Sequence, residues 1–465
     1  MPQNVHVLGA GLAGLAAAHD FAKAGLQVTV LEKEDHVGGL AASFDIGDGF
    51  TVDLGPHRFH TASEAILEHV KGVLADNVHQ RQRLSRIFIM GRLFNYPLKA
   101  SNVVRNLPPL TLVKAFLDYF AIRIWNGIRP IPDDCFENYV IKRFGKTLYR
   151  IFFGTYTEKA WGIPCTQISA DWASQRITLL NLWDTVKKTL FRPKNVPRTL
   201  VSRFHYPRQG GIGAISRGYV TAIESMGGRV LTGAPAVRLR HDGKVVTEIH
   251  YRRGGEVTVE PVERVVATIP VTVLCSLLDP PAPSDVLQAN SLLRHKAIAF
   301  VYLKLDREKV TDDHWIYLPE KELAVHRISE FKNFSEQTCP PHRTVVCAEI
   351  TCSYQDRIWT MDEAGLIDLA TRDLVKVGLI KAEQVSGGTV RRERYAYPIY
   401  DLTYRENLQK VLAYVRSYAN LDTTGRQGLF RYNNMDHSVA MGMKVARASQ
   451  RDEHARVASG SEYFG

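Results

Sequence analysis

The first thirty-two residues constrain the fold more than any other stretch of the chain. Residues 5–8 form a short apolar run that predicts a buried strand, and residues 12–23 are alanine-rich with helical spacing. Gly25 ends the predicted helix, and residues 28–31 predict a second buried strand. Strand, helix and strand in this order predict a β-α-β unit, which is the start of a doubly wound α/β domain.

The glycines between the first strand and the helix indicate what this unit binds. Gly9 permits a tight turn, Gly11 lets a pyrophosphate approach the backbone, and Gly14 lets the helix pack closely on the strand. The positive end of the helix then faces the phosphates. Glu32 follows the second strand, where a carboxylate accepts hydrogen bonds from ribose hydroxyls. The segment therefore predicts a dinucleotide-binding site.

A second glycine pair distinguishes FAD from NAD. In "EKEDHVGGLAASF", Gly38 and Gly39 come soon after the acidic residue. This spacing resembles the extended fingerprint of one flavoprotein superfamily, which includes amine oxidases, protoporphyrinogen oxidases, phytoene desaturases and UDP-galactopyranose mutases. The resemblance implies FAD as the cofactor, with the glycine pair close to its diphosphate.

Two later segments resemble parts of the same superfamily. Residues 229–270 predict successive strands with turns at 242–243 and 254–255, and the resemblance implies an adenine contact at Val237. Residues 423–448 contain a Gly-Arg turn, a predicted aromatic strand, and a polar stretch that predicts a helix beginning near Val439. This resembles the superfamily's C-terminal flavin motif. The FAD contacts that it implies are Gly425, Arg426, Asn434, Met435 and Asp436, with His437 and Ser438 as weaker candidates.

These segments imply a discontinuous Rossmann-type FAD-binding domain and a mixed α+β substrate domain. The predicted FAD-binding domain comprises residues 1–58, 205–285 and 420–448. The predicted substrate domain comprises residues 59–204 and 286–419, and residues 449–465 form a polar tail.

The stretch "LGPHRFHT", residues 54–61, has the composition of a ligand contact. From these residues alone, a metal, a phosphate and a flavin all remain open. A metal site needs three or four ligands in a fixed geometry. No cysteine or carboxylate cluster accompanies His57 and His60, so no metal is predicted.

The same stretch resembles the "GPHxFHT" loop of bacterial UDP-galactopyranose mutases, while Arg58 resembles the "GGHR" form of protoporphyrinogen-oxidase-like relatives. Either resemblance implies a loop against the flavin ring. The candidate residues of this flavin-facing loop are Gly55, Pro56, His57, Arg58 and His60.

Residues 91–103 and 144–177 also resemble segments of the mutases in order and content, and "YTEKAWG" is the most specific piece. The resemblance implies that Tyr156, Lys159 and Trp161 line a substrate cavity and that Arg176 binds a phosphate. Residues 294–352 look more like the strand-rich substrate domain of the oxidases and desaturases, and "GGLAAS" departs from the mutase pattern "GGN". The candidate catalytic residues are His57, Arg58 and Arg176.

The composition of the chain limits the kinds of partner that the protein is expected to bind. The formal net charge of +11 favours an anionic substrate or an acidic membrane surface, and no motif for nucleic acid accompanies it. Six scattered cysteines predict buried, reduced thiols. Residues 107–132 are apolar and aromatic, and residues 185–204 are basic, so both are candidates for peripheral membrane contact. The N-terminus has no signal-peptide pattern, which predicts a cytoplasmic protein, with the inner face of the membrane as an alternative.

Two functions follow from these resemblances. The first is an FAD-dependent oxidoreductase of the amine oxidase and protoporphyrinogen oxidase type, with hydride transfer to flavin N5 from a small anionic or amphipathic substrate. The alternative is a mutase-like isomerase that acts on a nucleotide sugar or a related anionic glycosyl substrate without net redox change.

Overall fold

The computed structural model describes residues 4–98, 100–176 and 203–450. Its strands are β1 Asn4–Leu8, β2 Gln27–Leu31, β3 Ser43–Asp45, β4 Thr51–Asp53, β5 His79–Gln82, β6 Ser85–Ile89, β7 Arg92–Asn95, β8 Arg203–Tyr206, β9 Arg229–Leu231, β10 Ala236–His241, β11 Val246–Arg253, β12 Glu256–Pro261, β13 Arg264–Ala267, β14 Leu278–Asp279, β15 His295–Leu305, β16 Trp315–Tyr317, β17 Arg327–Glu330, β18 Thr344–Cys352, β19 Val385–Pro398 and β20 Leu421–Thr423. Its α-helices are α1 Leu12–Lys23, α2 Glu64–Leu74, α3 Ala100–Asn106, α4 Pro109–Ile128, α5 Phe136–Leu148, α6 Thr155–Trp161, α7 Ala170–Arg176, α8 Ala214–Ser225, α9 Val271–Leu277, α10 Ser284–Leu292, α11 Arg357–Thr360, α12 Glu363–Lys376, α13 Tyr404–Val415, α14 Gly425–Gly428 and α15 Met435–Gln450.

A parallel sheet carries the predicted dinucleotide unit. Its described strands run in the order β20-β13-β1-β2-β9, and all of their pairings are parallel. The apolar side chains of β1 and β2 divide between two hydrophobic cores. One core contains α1, α8 and α15, and the other contains α9, α10 and α13. Helices therefore cover both faces of the sheet, which confirms the doubly wound α/β prediction.

The strands of this sheet come from distant parts of the chain. All of them lie within the three stretches that were predicted to form the FAD-binding domain. The exact domain boundaries remain a prediction. The predicted turns at 242–243 and 254–255 connect β10, β11 and β12 into an antiparallel meander, as expected.

A second, largely antiparallel sheet forms the other part of the molecule. Its order is β19-β15-β18-β17-β16-β6-β7. The hairpin β3–β4 links the two parts, because the Tyr302 hydroxyl on β15 donates to the carbonyl of Asp53 at 2.9 Å. Residues 54–61 thus begin at the junction between the nucleotide-binding sheet and this larger sheet.

Two details differ from the sequence-based prediction, and both concern the C-terminal segment. The predicted aromatic strand after Gly425 is wrong: residues 425–428 form one helical turn, and the backbone leaves it without entering a sheet. The following helix begins at Met435, not near Val439. The local polarity of residues 433–438 does not prevent helix formation, because the Asn434 carbonyl already accepts from the Ser438 amide at 3.2 Å.

The helices α3 to α7 lie between β7 and β8 in the sequence and pack beside the larger sheet. No helix in the described ranges is long and apolar enough to span a bilayer. All six cysteines are buried free thiols, as predicted.

Candidate functional site

The three glycines after β1 are placed as a pyrophosphate site requires. Gly9 has a φ of +98°, and a Cβ on Gly14 would lie 2.0 Å from the carbonyl oxygen of Gly9. Both positions therefore exclude a side chain. A Cβ on Gly11, by contrast, would meet no protein atom within 4 Å. The space in front of the α1 N-terminus is open, and backbone N–H groups face it.

The second glycine pair packs directly on this turn. The amide of Gly38 donates to the Ala10 carbonyl at 2.8 Å, and a Cβ on Gly39 would lie 3.5 Å from the Gly11 Cα atom. The Glu32 carboxylate is buried and accepts from the Ala10 amide at 2.8 Å. This bond holds the carboxylate at the edge of the glycine turn, beside the open space, where the sequence predicted a ribose contact.

The C-terminal motif reaches the same edge of the sheet. Gly425 has a φ of +79°, and a Cβ there would lie 2.7 Å from the Cβ of Ala13 on α1. The hydroxyl of Thr424 is buried without a hydrogen-bond partner among the described residues. Met435 and Asp436 lie in the first turn of α15. The predicted contacts at both ends of the chain thus converge on the N-terminus of α1.

Among the predicted cofactor contacts, Val237 is the one whose side chain has few contacts that fix its role. It is half-buried at a bulge in β10, where the register with β11 shifts between Ala236 and Arg238. Nearby, the Ala234 amide donates to the Glu32 carbonyl at 2.7 Å. The strand therefore runs next to the predicted ribose site, and an adenine contact at Val237 stays a prediction.

A buried carboxylate anchors the flavin-facing loop. The Asp53 side chain accepts from the Tyr206 hydroxyl at 2.6 Å, the Ser43 hydroxyl at 2.6 Å and the Ile212 amide at 3.1 Å. Burial raises the pKa of Asp53 to about 6, although these hydrogen bonds oppose the rise. Sequence reasoning missed Asp53, because an aspartate at the end of a hairpin strand has no local signature.

The loop that follows has a constrained backbone. Gly55 has a φ of +88°, and a Cβ there would lie 3.3 Å from both Glu349 and Phe300. The His57 amide donates to the Gly55 carbonyl at 2.8 Å. The next residue, Pro56, is buried. The tight turn carries the two histidines and Arg58 away from the hairpin towards the C-terminal motif.

Both histidines of the loop are neutral. Burial lowers the pKa of His57 to about 3, and the nearby Arg426, Arg327 and Arg58 lower it further. Burial and Arg58 likewise lower the pKa of His60 to about 3. The Nδ1 atoms of His57 and His60 are buried and have no hydrogen-bond partner within the described chain. Atoms in this state fit a face that contacts a bound cofactor.

Three guanidinium groups surround His57, and one buried carboxylate accompanies them. Arg327 on β17 forms a bidentate pair with Glu349 on β18, with both N–O distances at 2.6 Å. Burial acts to lower the pKa of Arg327, but Glu349 raises it well above its ordinary value. Arg58 lies 4.5 Å from the centre of the Trp315 ring. This group of His57, Arg58, Arg327 and Arg426, the arginine–histidine cluster, carries an excess of positive charge.

Arg327 and Glu349 were not predicted from the sequence. They lie on adjacent strands of the larger sheet, at paired register positions, some 270 residues from the loop. A single arginine in "VHRISE" has no motif around it. The only signal in the sequence was the pattern of polar and apolar residues along this strand. That pattern does not reveal which side chains lie on the neighbouring strands.

An aromatic wall adjoins the arginine–histidine cluster. It consists of one ring pair, Tyr156 and Tyr317 with centroids 5.3 Å apart, and of Trp161, Tyr397 and Tyr432, whose centroids lie between 5.1 and 6.3 Å apart. Tyr156 and Trp161 were predicted for the substrate cavity, and they line this wall from α6. The guanidinium of Arg426 lies 4.5 Å from the centre of the Tyr432 ring. The wall supplies flat apolar surfaces next to the cationic groups.

The other two predicted substrate residues have different outcomes. The ammonium of Lys159 donates to the carbonyls of Leu318, Glu320 and Val325 at 2.7 to 2.8 Å. All three of its N–H bonds are taken, which favours a structural role over the predicted substrate contact. Arg176 ends α7, but its side chain lies outside the described residues, as do residues 177–202 with most of the basic run.

His57 and His60 are not part of a metal-like group. In the part of the chain that the structure describes, the one group of three potential ligands is His19, Asp20 and His69 on α1 and α2. This group lies towards the opposite end of α1 from the glycine turn. The flavin-facing loop therefore contains no ligand set of the kind that zinc needs.

Comparisons with known proteins agree with this site. Residues 7–75 match the NAD(P)-binding Rossmann-like domain, and residues 135–423 match the flavin containing amine oxidoreductase family. The second match covers more than half of the chain. The protein belongs to the flavin-containing amine oxidoreductase family. Its cofactor is FAD, as predicted.

Relatives in this family have several activities. A candidate UDP-galactopyranose mutase from Klebsiella pneumoniae is 26% identical over 36% of this chain and 43% of its own length. An L-amino-acid oxidase from Pseudechis australis is 36% identical over 22% of each chain. The chain thus matches less than half of the length of these relatives, and members of the family are flavin-dependent enzymes.

Solved structures share the whole fold. A reduced UDP-galactopyranose mutase has a TM-score of 0.84 at 20% identity, covering 99% of this chain and 97% of its own. A candidate protoporphyrinogen oxidase from Exiguobacterium has a TM-score of 0.73 at 16% identity, covering 97% and 99%. At these identities the likeness establishes the fold of the amine oxidoreductase family and not a reaction.

The described residues fit FAD. Gly11 borders open space, Gly425 approaches α1 at Ala13, and the next residue, Arg426, lies close enough to His57 to lower its pKa. The Thr424 hydroxyl and the Nδ1 atoms of the two loop histidines are buried without a partner among the described residues. A dinucleotide with its diphosphate at the glycine turn would place its flavin end towards the arginine–histidine cluster. Glu32 would hold the ribose, and residues 55–60 would lie against the flavin.

Proposed function

We propose that the protein is an FAD-dependent oxidoreductase that oxidises a small anionic substrate with an apolar portion. The observation that carries the proposal is the arginine–histidine cluster, in which Arg58, Arg327 and Arg426 lie close enough to His57 to lower its pKa and Glu349 forms an ion pair with Arg327. A cluster with unbalanced positive charge favours a carboxylate or a phosphate. The adjoining aromatic wall favours a flat or apolar group on the same molecule.

Arg327, His57 and the groups next to them have distinct tasks. Glu349 fixes the guanidinium plane of Arg327 through two hydrogen bonds, so that the arginine is held in place before the substrate binds. His57, held neutral, donates or accepts a hydrogen bond at an imidazole nitrogen. The aromatic wall excludes water from the reacting bond. When bound, FAD accepts a hydride at N5.

A second function is supported by a separate observation. The family relatives and the solved structures include UDP-galactopyranose mutases, and the same cationic cluster suits a sugar diphosphate. In that case Arg327, with Arg176 as a predicted partner, would hold the diphosphate, and the tyrosines of the wall would flank the sugar. When bound in its reduced form, FAD would supply a nucleophilic nitrogen with no net transfer of electrons.

Anaerobic mixing distinguishes the two functions. FAD-loaded protein would be mixed with an L-amino acid, with a porphyrinogen and with UDP-galactopyranose, and the visible flavin absorbance followed. We expect loss of absorbance with an oxidisable anion and no change with UDP-galactopyranose. If protein reduced beforehand with dithionite isomerises UDP-galactopyranose, and no substrate of the panel bleaches the oxidised protein, the mutase function replaces the proposal.

A further inference from the structure

Helix α4 presents an unusually apolar face to solvent. Six of its large apolar side chains are between 44% and 85% exposed: Leu110, Val113, Leu117, Phe120, Ile124 and Ile128. Monomeric proteins rarely expose a contiguous apolar patch of this kind without a function for it. The sequence predicted residues 107–132 as a candidate for membrane contact, and the structure shows how these side chains are arranged.

The exposed residues lie on one side of the helix. Their spacings of three and four residues place them within one stripe along the axis. The opposite side of α4 packs on the protein, where Ala115 and Tyr119 are buried and the backbone of Tyr119 approaches Gly145 of α5. Phe116 and Trp125 border the stripe and are 61% and 52% exposed. The stripe is therefore an outward face, not an unfilled part of the core.

The charges around this face are mostly positive. Residues 100–129 contain four cations, Arg105, Lys114, Arg123 and Arg129, and all of them are exposed. The single acid in this range, Asp118, accepts a hydrogen bond from the Thr147 hydroxyl of α5. Lys114 and Arg123 lie on opposite sides of the stripe. Long cationic side chains in such positions extend to lipid headgroups while their stems cover apolar surface.

We propose that α4 lies flat in the headgroup region of an anionic phospholipid bilayer, with its apolar stripe inserted and its flanking cations on the lipid phosphates. An amphipathic helix with aromatic residues on the apolar side and cations beside it binds a membrane interface in this way. A second copy of the chain fits the face less well, because a symmetric contact through the stripe would bring Lys114 and Arg123 of one copy near the same cations of the other.

The bilayer face is connected to the candidate site. Helix α5 packs on α4 through Gly145, and the chain continues from α5 into α6, which carries Tyr156 and Trp161 of the aromatic wall. Membrane docking would hold the substrate side of the enzyme near the lipid surface. The proposed membrane docking depends only on residues of α4. An experiment can therefore confirm or contradict it whether or not the proposed reaction is correct.

The test is co-sedimentation of the FAD-loaded full chain with vesicles. One vesicle set contains phosphatidylcholine alone, and the other also contains about one third phosphatidylglycerol. We expect the bound fraction to be larger with the anionic vesicles and to fall as salt rises. The double variant L117D/I124D should lose at least about ten-fold in partitioning, since two charges would enter the apolar layer. The variant K114E/R123E should lose the preference for anionic vesicles.

A matched control places the same charges elsewhere. Val257 and Val259 on β12 are 53% and 50% exposed, so V257D/V259D makes an equal change on another surface and should bind vesicles like the unaltered protein. The proposal is overturned if the unaltered protein ignores both vesicle types at low salt, or if the control loses binding as much as L117D/I124D. It is also overturned if light scattering shows that L117D/I124D breaks a dimer of a protein that does not bind vesicles.

Discussion

His57 shows how position changes the chemistry of a single residue. An exposed histidine titrates near pH 6.5, but burial and three neighbouring arginines lower the pKa of His57 to about 3. The imidazole therefore stays neutral throughout the physiological range. It acts as a neutral hydrogen-bond donor or acceptor, because a positively charged form would not persist beside Arg327 and Arg426.

We predict that His57→Ala keeps FAD bound but slows turnover. The predicted diphosphate and ribose contacts lie at the glycine turn, while loss of a positioned hydrogen-bond donor in a catalytic site costs roughly 10²–10³-fold in rate. Stopped-flow flavin reduction and the visible spectrum measure both effects. In the unaltered protein, the rate should show no ionisation near pH 6.5 from this residue. A wild-type rate and spectrum in His57→Ala would contradict the assignment.

Gly11 offers the sharpest test of cofactor binding. A Cβ there meets no protein atom within 4 Å, so Gly11→Ala should fold normally, yet the added methyl group would occupy the space that the diphosphate needs. We expect at least ten-fold weaker FAD retention after gel filtration, measured by the flavin-to-protein absorbance ratio. Gly72→Ala on α2, where a Cβ also meets nothing, should retain FAD. Equal retention in both variants would place the diphosphate elsewhere.

At the scale of elements, the hairpin β3–β4 and the loop after it depend on Asp53. Three donors converge on this carboxylate from β3, β8 and the segment before α8. The flavin-facing loop is thus attached at its start to three separate elements. The buried Asp53 carboxylate therefore fixes the start of the flavin-facing loop. Gly55 then sets the direction in which the backbone continues.

Asp53 predicts a pH dependence of stability. Burial raises its pKa to about 6, above the unfolded value of about 3.9, so its contribution is greatest below pH 4 and is lost as pH rises towards 6. The difference in unfolding free energy between the unaltered protein and Asp53→Asn should change by about 2 kcal/mol between pH 4 and pH 7. Urea titrations at several pH values measure it, with the exposed Asp45→Asn as control. A constant difference would show that the pKa of Asp53 is not raised.

At the scale of the whole molecule, FAD joins segments that are far apart in the chain. Its predicted contacts come from residues 9–60, from β10 and from residues 425–436, and the cofactor would also meet the larger sheet at Arg327. A ligand that binds only the folded state stabilises it through mass action. With these contacts, the cofactor would connect the two sheets as well as supply the redox group.

We predict that removal of FAD lowers the midpoint of thermal unfolding. At a free FAD concentration one thousand times its dissociation constant, the stabilisation is about 4 kcal/mol. Differential scanning calorimetry of the FAD-free protein, with FAD added back in steps, measures the shift. Gly11→Ala should show little response to added FAD. A midpoint that does not change with FAD in the unaltered protein would mean that the cofactor does not connect these segments.

The sequence by itself determined the features that depend on neighbouring residues. Local periodicity and turn chemistry set the β-α-β unit, its glycine turn, the hairpin before residue 54 and the meander at 236–261, so these features were predictable from the sequence.

Tertiary structure alone decided the composition of the site. Arg327 and Glu349 meet His57 only because β17 and β18 pair beside the loop, and Lys159 is occupied by three carbonyls from a distant segment. The first residue of α15 and the exposed face of α4 also depend on which groups form hydrogen bonds or packing contacts in the folded protein. The local sequence pattern specifies whether a segment forms a helix, a strand or a turn. The pKa of His57 and the charge around it depend on burial and on residues that are distant in the chain, and no short stretch of sequence contains that information.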